Sequence, residues 1–77
     1  MSIQHFRERI TADPDIMLGK PIIKGTRITV EIILRKLSDG MTMEELLEAY
    51  PSLTKEDILA ALSYSADVIS EEEMIAV

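Results

Sequence analysis

Apolar residues recur at helical spacing in three segments of the chain. The first segment carries Val30, Ile33, Leu34 and Leu37, the second Met43, Leu46, Leu47 and Tyr50, and the third Ile58, Ala61, Leu62, Ala66 and Ile69. Steps of three and four residues bring such side chains to one face of a helix. The pattern therefore predicts three helices, at about 29–38, 42–50 and 54–69.

Polar residues predict where the second and third helices begin. Thr42 is followed three residues later by Glu45, and Thr54 by Asp57, which is the spacing of a capping box. Hydrophobic-staple pairs flank both starts, and these pairs are Met41 with Leu46 and Leu53 with Ile58. Pro51 ends the second helix, because the residue before a proline is forced out of helical geometry.

The region before the first helix is rich in residues that favour turns. Gly25 lies between two short runs, Pro21–Ile23 and Thr26–Ile28, and glycine suits the positive φ of a two-residue hairpin turn. We expect these runs to pair as strands. The predicted fold is mainly α, with a three-helix, helix-turn-helix-like bundle preceded by a short β-hairpin or irregular N-terminal segment. All 77 residues form one predicted domain, in which 70–77 are either an added helical turn or a tail.

Composition adds expectations about location and assembly. There is no cysteine, which excludes disulfides and thiolate metal sites. No apolar stretch approaches the roughly 18 residues that cross a bilayer, and the first residues are too polar for a secretory signal. We expect a cytoplasmic protein without a membrane partner. A chain this short buries only about 60% of its unfolded surface, so we expect a homodimer or higher oligomer.

Charge is divided unequally along the chain. The net charge is -6, which argues against unspecific binding of nucleic acid by charge alone. Up to Lys36 there are seven basic and four acidic residues, a net charge of +3, whereas from Leu37 onward one basic and ten acidic residues give -9. This asymmetry predicts two different binding faces.

The sequence contains no recognisable catalytic constellation. His5 is the only histidine, so no two-histidine metal motif can form. The acidic run 71–73 points its side chains about 100° apart if it is helical, which does not converge on one ion. We therefore expect a protein that is not an enzyme and that needs no metal or cofactor.

Five basic residues form the predicted contact with double-stranded DNA: Lys20, Lys24, Arg27, Arg35 and Lys36. They either grip phosphate oxygens or are ordinary surface charge. In a helix-turn-helix the first residues of the later helix meet base edges, and here they are Lys55, Glu56 and Asp57. Because two carboxylates there would repel phosphates, we expect the hairpin and first helix to face DNA and the acidic helices to face protein.

Several stretches of the chain resemble a known family. They are Asp13-Pro14-Asp15-Ile16, residues 19–28, Gly40-Met41-Thr42-Met43-Glu44-Glu45 and Tyr50-Pro51-Ser52-Leu53-Thr54. Over about 10–66 the chain is similar to the bacterial family known as domain of unknown function 433. The resemblance implies a helix-turn-helix-like fold after short strands, and a gene beside that of a PIN-like ribonuclease. It implies no catalytic residues.

The most recognisable motif of that family matches Gly19, Pro21, Gly25, Thr26 and Arg27. We interpret the glycines and the proline as structural, since turns need their backbone preferences. Arg27 either contacts a phosphate or pairs with Asp13 or Glu31, and we favour the internal pair. The resemblance and the divided charge predict the antitoxin of a type II toxin-antitoxin pair, which neutralises a PIN-like toxin and binds its own operator DNA. The alternative is a protein-interaction module without DNA binding.

Overall fold

The computed structural model describes residues 8–70. Its elements are, in chain order, β1 (Ile10–Thr11), a 3₁₀ turn (Met17–Gly19), β2 (Ile22–Ile23), α1 (Val30–Ser38), α2 (Met43–Ala49) and α3 (Lys55–Ser70). The predicted fold class is confirmed, because three helices follow a short antiparallel hairpin. His5 and the acidic run 71–73 lie outside the described residues. No helix within 8–70 is long and apolar enough to cross a membrane.

A threonine directly precedes each helix, and its side chain accepts a backbone hydrogen bond from the first turn. The hydroxyl of Thr29 accepts from the backbone N–H of Ile32, at 3.0 Å between N and Oγ1. Both predicted capping boxes are confirmed. At the start of α2, the backbone N–H of Thr42 donates to the carboxylate of Glu45, and the backbone N–H of Glu45 donates to the hydroxyl of Thr42. Thr54 and Asp57 make the same two bonds at the start of α3. These bonds satisfy amides that a helix leaves without partners in its first turn.

The predicted hairpin is present only in part. β2 forms a two-stranded sheet with β1, in the register Ile10 with Ile23 and Thr11 with Ile22. With the segment after Gly25 it makes only an isolated antiparallel bridge, Ile22 with Thr29, and a hydrogen bond from the N–H of Ile23 to the carbonyl of Ile28. Residues 23–28 form a turn, in which the hydroxyl of Thr26 donates to the carbonyl of Ile23 and accepts from the N–H of Ile28. This turn delivers the chain directly into α1.

The core lies where β2 and the three helices meet. Its buried members are Ile23, Val30, Ile33, Leu46, Leu53, Ile58 and Ala61. Three of the four staple residues expected from the sequence, Leu46, Leu53 and Ile58, are therefore inside the core, and the half-buried Met41 packs against it. Because Ile23 belongs to the same cluster, the hairpin is fixed to the helices, and the segment between β1 and α1 has a defined position on their surface.

Candidate nucleic-acid interface

Three of the five predicted DNA-contacting residues surround one groove. The groove has a volume of about 420 Å³ and lies between the 3₁₀ turn, the residues before α1, and α1 itself. Lys20, Arg27 and Arg35 line it, and we call it the basic groove. Met17 and Tyr50 line it as well. Neither residue was predicted to line a site, since nothing in the helical pattern connects position 50 with the turn at 17–19.

The other two predicted residues lie elsewhere. Lys24 is exposed in the turn after β2, where its backbone N–H donates to the carbonyl of Arg9 at 2.7 Å between N and O. Lys36 is half-buried and lines a separate depression with Asp39 and Glu45. The structure therefore divides the predicted set into a cluster of three and two separate lysines.

Glu31 holds two of the three cations of the basic groove. Its Oε1 lies 2.8 Å from Nζ of Lys20, and its Oε2 lies 3.1 Å from Nε of Arg35. The hydrogen bond from Lys20 and then that from Arg35 lower the pKa of the Glu31 carboxyl below its ordinary value of 4.5. Both cations stay accessible, since their side chains are 50% and 71% exposed.

Arg27 has no carboxylate partner among residues 8–70. The predicted internal pair with Asp13 or Glu31 is therefore wrong. Oδ1 of Asp13 instead accepts the backbone N–H of Asp15 at 2.9 Å, and both carboxylate oxygens of Glu31 are used by other cations. Since Arg27 is exposed on the wall of the basic groove, its guanidinium is available to an anion from outside.

The turn that leads into the basic groove has an unusual backbone. Met17, Leu18 and Gly19 have φ values of 50°, 60° and 80°, all in the left-handed region. Leu18 projects outward and is 91% exposed. The N–H of Gly19 donates to the carbonyl of Ile16, and the N–H of Lys20 donates to the carbonyl of Met17. These bonds set the direction in which Lys20 leaves the turn.

Asp57 has a structural position and does not face a ligand. The residue is 6% exposed, and its Oδ1 lies 3.1 Å from Nη1 of Arg9. Its Oδ2 accepts the backbone N–H of Thr54 at 3.0 Å. The predicted capping box and the ion pair use both carboxylate oxygens of Asp57, so of the two carboxylates at the start of α3 only that of Glu56 is exposed.

Comparison with known proteins now gives the family. The family described as "Protein of unknown function (DUF433)" matches residues 10–65. The chain belongs to the DUF433 family. The resemblance stated from the sequence is thereby confirmed, and the basic groove and its turn lie inside the DUF433 domain.

The chain is also similar to one solved structure and to two uncharacterized proteins. The crystal structure of a DUF433 member from Anabaena variabilis has a TM-score of 0.78 and 32% identity, and the match covers 97% of this chain and 75% of that one. An uncharacterized protein of Sinorhizobium fredii is 41% identical over 77% of this chain, which spans 27% of that relative's length. An uncharacterized protein of Archaeoglobus fulgidus is 54% identical over 36% of this chain and 78% of its own length.

Proposed function

We propose that this DUF433 domain acts by binding and not by catalysis, as the antitoxin of a type II toxin-antitoxin pair. In this role it occupies a PIN-like ribonuclease toxin and contacts its own operator DNA. The basic groove contacts the phosphate backbone of double-stranded DNA. The acidic surface of α2 and α3 faces the toxin.

The separation of charge on the surface carries this proposal. Lys20, Arg27 and Arg35 share one groove, whereas the exposed charged residues of α2 and the start of α3 are mainly acidic: Glu44, Glu45, Glu48 and Glu56. Phosphate binding needs accessible cations, and a groove that gathers three of them meets that need. Of the three cations Arg27 contributes most to phosphate binding, because it has no ion-pair partner within residues 8–70 to lose when it contacts a phosphate.

A protein-interaction module without DNA binding is the second candidate. It is favoured by the net charge of -6 and by Glu31, which already pairs with two of the three cations in the basic groove. A phosphate then has to compete with an intramolecular carboxylate. Under this alternative the same surfaces contact protein alone.

The test begins with co-expression of the full chain and the product of the adjacent reading frame. Co-purification at a fixed ratio supports the toxin-binding part. The purified material is then titrated with a fluorescent duplex of the promoter at several salt concentrations. Arg27→Ala should weaken DNA binding and reduce the slope of log affinity against log salt by about one. Lys24→Ala is the matched control, since it also removes an exposed positive charge, but one outside the basic groove.

The outcomes separate the two candidates. A stable complex with salt-dependent DNA binding that Arg27→Ala weakens and Lys24→Ala leaves intact supports the antitoxin and its groove. A stable complex that shows no DNA affinity favours the interaction module. Equal losses in both variants remove the groove from the proposal, because general charge then explains the binding. A chain that captures no neighbouring product and no DNA overturns both candidates.

A further inference from the structure

Helix α3 has an apolar face on its exposed side as well as on its buried side. Leu59, Leu62, Ala66 and Ile69 lie along one side of α3, and we call these four residues the seam. Leu62 is 40% exposed and Ile69 is 62% exposed, and Ala66 is exposed between them. Neighbouring apolar side chains that are exposed together mark a surface that contacts a partner. Within the seam Leu59 is half-buried, whereas the other three residues are exposed.

The spacing of the seam is that of helix pairing. Its members are separated by three, four and three residues. At 3.6 residues per turn they fall within about 80° of one another around the axis. Alternating steps of three and four are the pattern by which two similar helices pack side chains into one another.

The surroundings of the seam indicate which partner fits it. From Ile58 to Ser70 the only charged residue is Asp67, and the seam is flanked by three serines, Ser63, Ser65 and Ser70. The nearest cation on the helix is exposed Lys55, one turn before Leu59, so the seam itself offers a charged partner little to recognise. Two copies of a chain with net charge -6 repel each other at most surfaces, but the four side chains of the seam carry no charge.

The apolar surface continues from the seam into a second groove. This groove has a volume of about 520 Å³ and lies between α1 and the second half of α3. Val30, Leu34, Tyr64 and Val68 line it, and Ile69 belongs to both the groove and the seam. A helix on the seam can therefore place side chains into the groove and enlarge the contact beyond four residues.

We propose that a second copy of this chain packs its α3 against α3, seam to seam. The inference goes beyond the proposed function, because it needs neither the toxin nor DNA. The contact is small compared with the roughly 800 Å² per partner of a standard interface, so the dimer dissociates on dilution.

The experiment is sedimentation velocity of the full chain over roughly 1 to 200 μM, where a small interface begins to populate. The weight-average mass should rise from 8.7 kDa towards twice that value. Ala66→Glu places a carboxylate in the middle of the seam at an exposed helical position, so the fold is retained. It should weaken association by roughly tenfold or more, because the two copies bring like charges together.

Ala49→Glu is the matched control, since Ala49 is an exposed alanine of α2, away from the seam. It adds the same charge and should dimerise like the parent chain. Circular dichroism and thermal unfolding verify that both variants are folded. A parent chain that stays at 8.7 kDa throughout overturns the proposal. So does an Ala66→Glu variant that associates as well as the parent, or an Ala49→Glu variant that loses association equally.

Discussion

Asp57 makes both a local contact and a long-range contact. Its carboxylate caps the start of α3 through Thr54 and also pairs with Arg9, which lies 48 positions earlier in the chain. Glu45 makes the equivalent capping contact with Thr42 at the start of α2, but Glu45 is exposed and forms no ion pair within residues 8–70. The two carboxylates thus differ in two respects, since only Asp57 is buried and only Asp57 pairs with an arginine.

We predict that Asp57→Ala lowers the free energy of unfolding by about 2–4 kcal/mol. The loss combines a helix cap, worth about 1 kcal/mol, with a charged hydrogen bond whose removal leaves partly buried donors unsatisfied. Glu45→Ala should cost only about 1 kcal/mol, because it removes the cap contact alone. Urea unfolding monitored by circular dichroism measures both values.

Arg9→Ala completes a double-mutant cycle with Asp57→Ala. If the ion pair accounts for the extra loss, the two substitutions together should cost less than the sum of their separate costs. Strict additivity, or equal losses for Asp57→Ala and Glu45→Ala, would contradict the role assigned to Arg9.

At the scale of elements, the 3₁₀ turn stores backbone strain in front of the basic groove. Leu18 has a φ of 60° although its side chain is almost fully exposed, so no burial offsets the left-handed conformation. A non-glycine residue in this region costs about 1–2 kcal/mol. Strain of this kind is often retained where a segment has a role in binding.

We predict that Leu18→Gly raises the free energy of unfolding by about 0.5–1 kcal/mol. Glycine removes the left-handed penalty, and the greater freedom of its unfolded chain takes back part of the gain. Leu18→Ala is the control, because it also removes the exposed side chain but keeps Cβ and therefore keeps the strain. Urea unfolding of the parent chain and of the two variants measures these free energies. A gain in stability with alanine as large as that with glycine would show that side-chain exposure, and not φ, is the cause.

Features formed by residues close together in the chain could be predicted from the sequence, whereas features that join distant segments could not. The capping boxes at Thr42 and Thr54 need residues only three positions apart, and their spacing is visible in the sequence. The pairing of β1 with β2 joins segments on either side of the 3₁₀ turn, and each strand is too short to show an alternating pattern. The partner of Asp57 and the separation of Lys36 from the basic groove likewise depend on packing between distant segments.

On the scale of the whole molecule, the carboxylate of Glu31 borders both the basic groove and the apolar groove between α1 and α3. Lys20, Glu31 and Arg35 line the basic groove and also the apolar groove beside the seam. The trio therefore forms a shared wall between the surface proposed for DNA and the surface proposed for a second copy. A change at Glu31 alters the charge of the first surface while leaving the apolar seam of the second intact.

We predict that Glu31 contributes stability at neutral pH and loses that contribution in acid. Its pKa lies below the ordinary 4.5 because Lys20 and Arg35 bond to the ionised form, so folding favours the carboxylate. The contribution is therefore complete above 4.5 and disappears as the pH falls through the folded-state pKa. Carbon-13 NMR titration of the Glu31 carboxyl should give a midpoint below 4.5, returning towards that value when Lys20 and Arg35 are both replaced by methionine.

Glu31→Gln should also bind promoter DNA more tightly than the parent chain, since it releases both cations. A normal midpoint in the parent chain would contradict the ion pairs, and weaker DNA binding would contradict competition between Glu31 and phosphate.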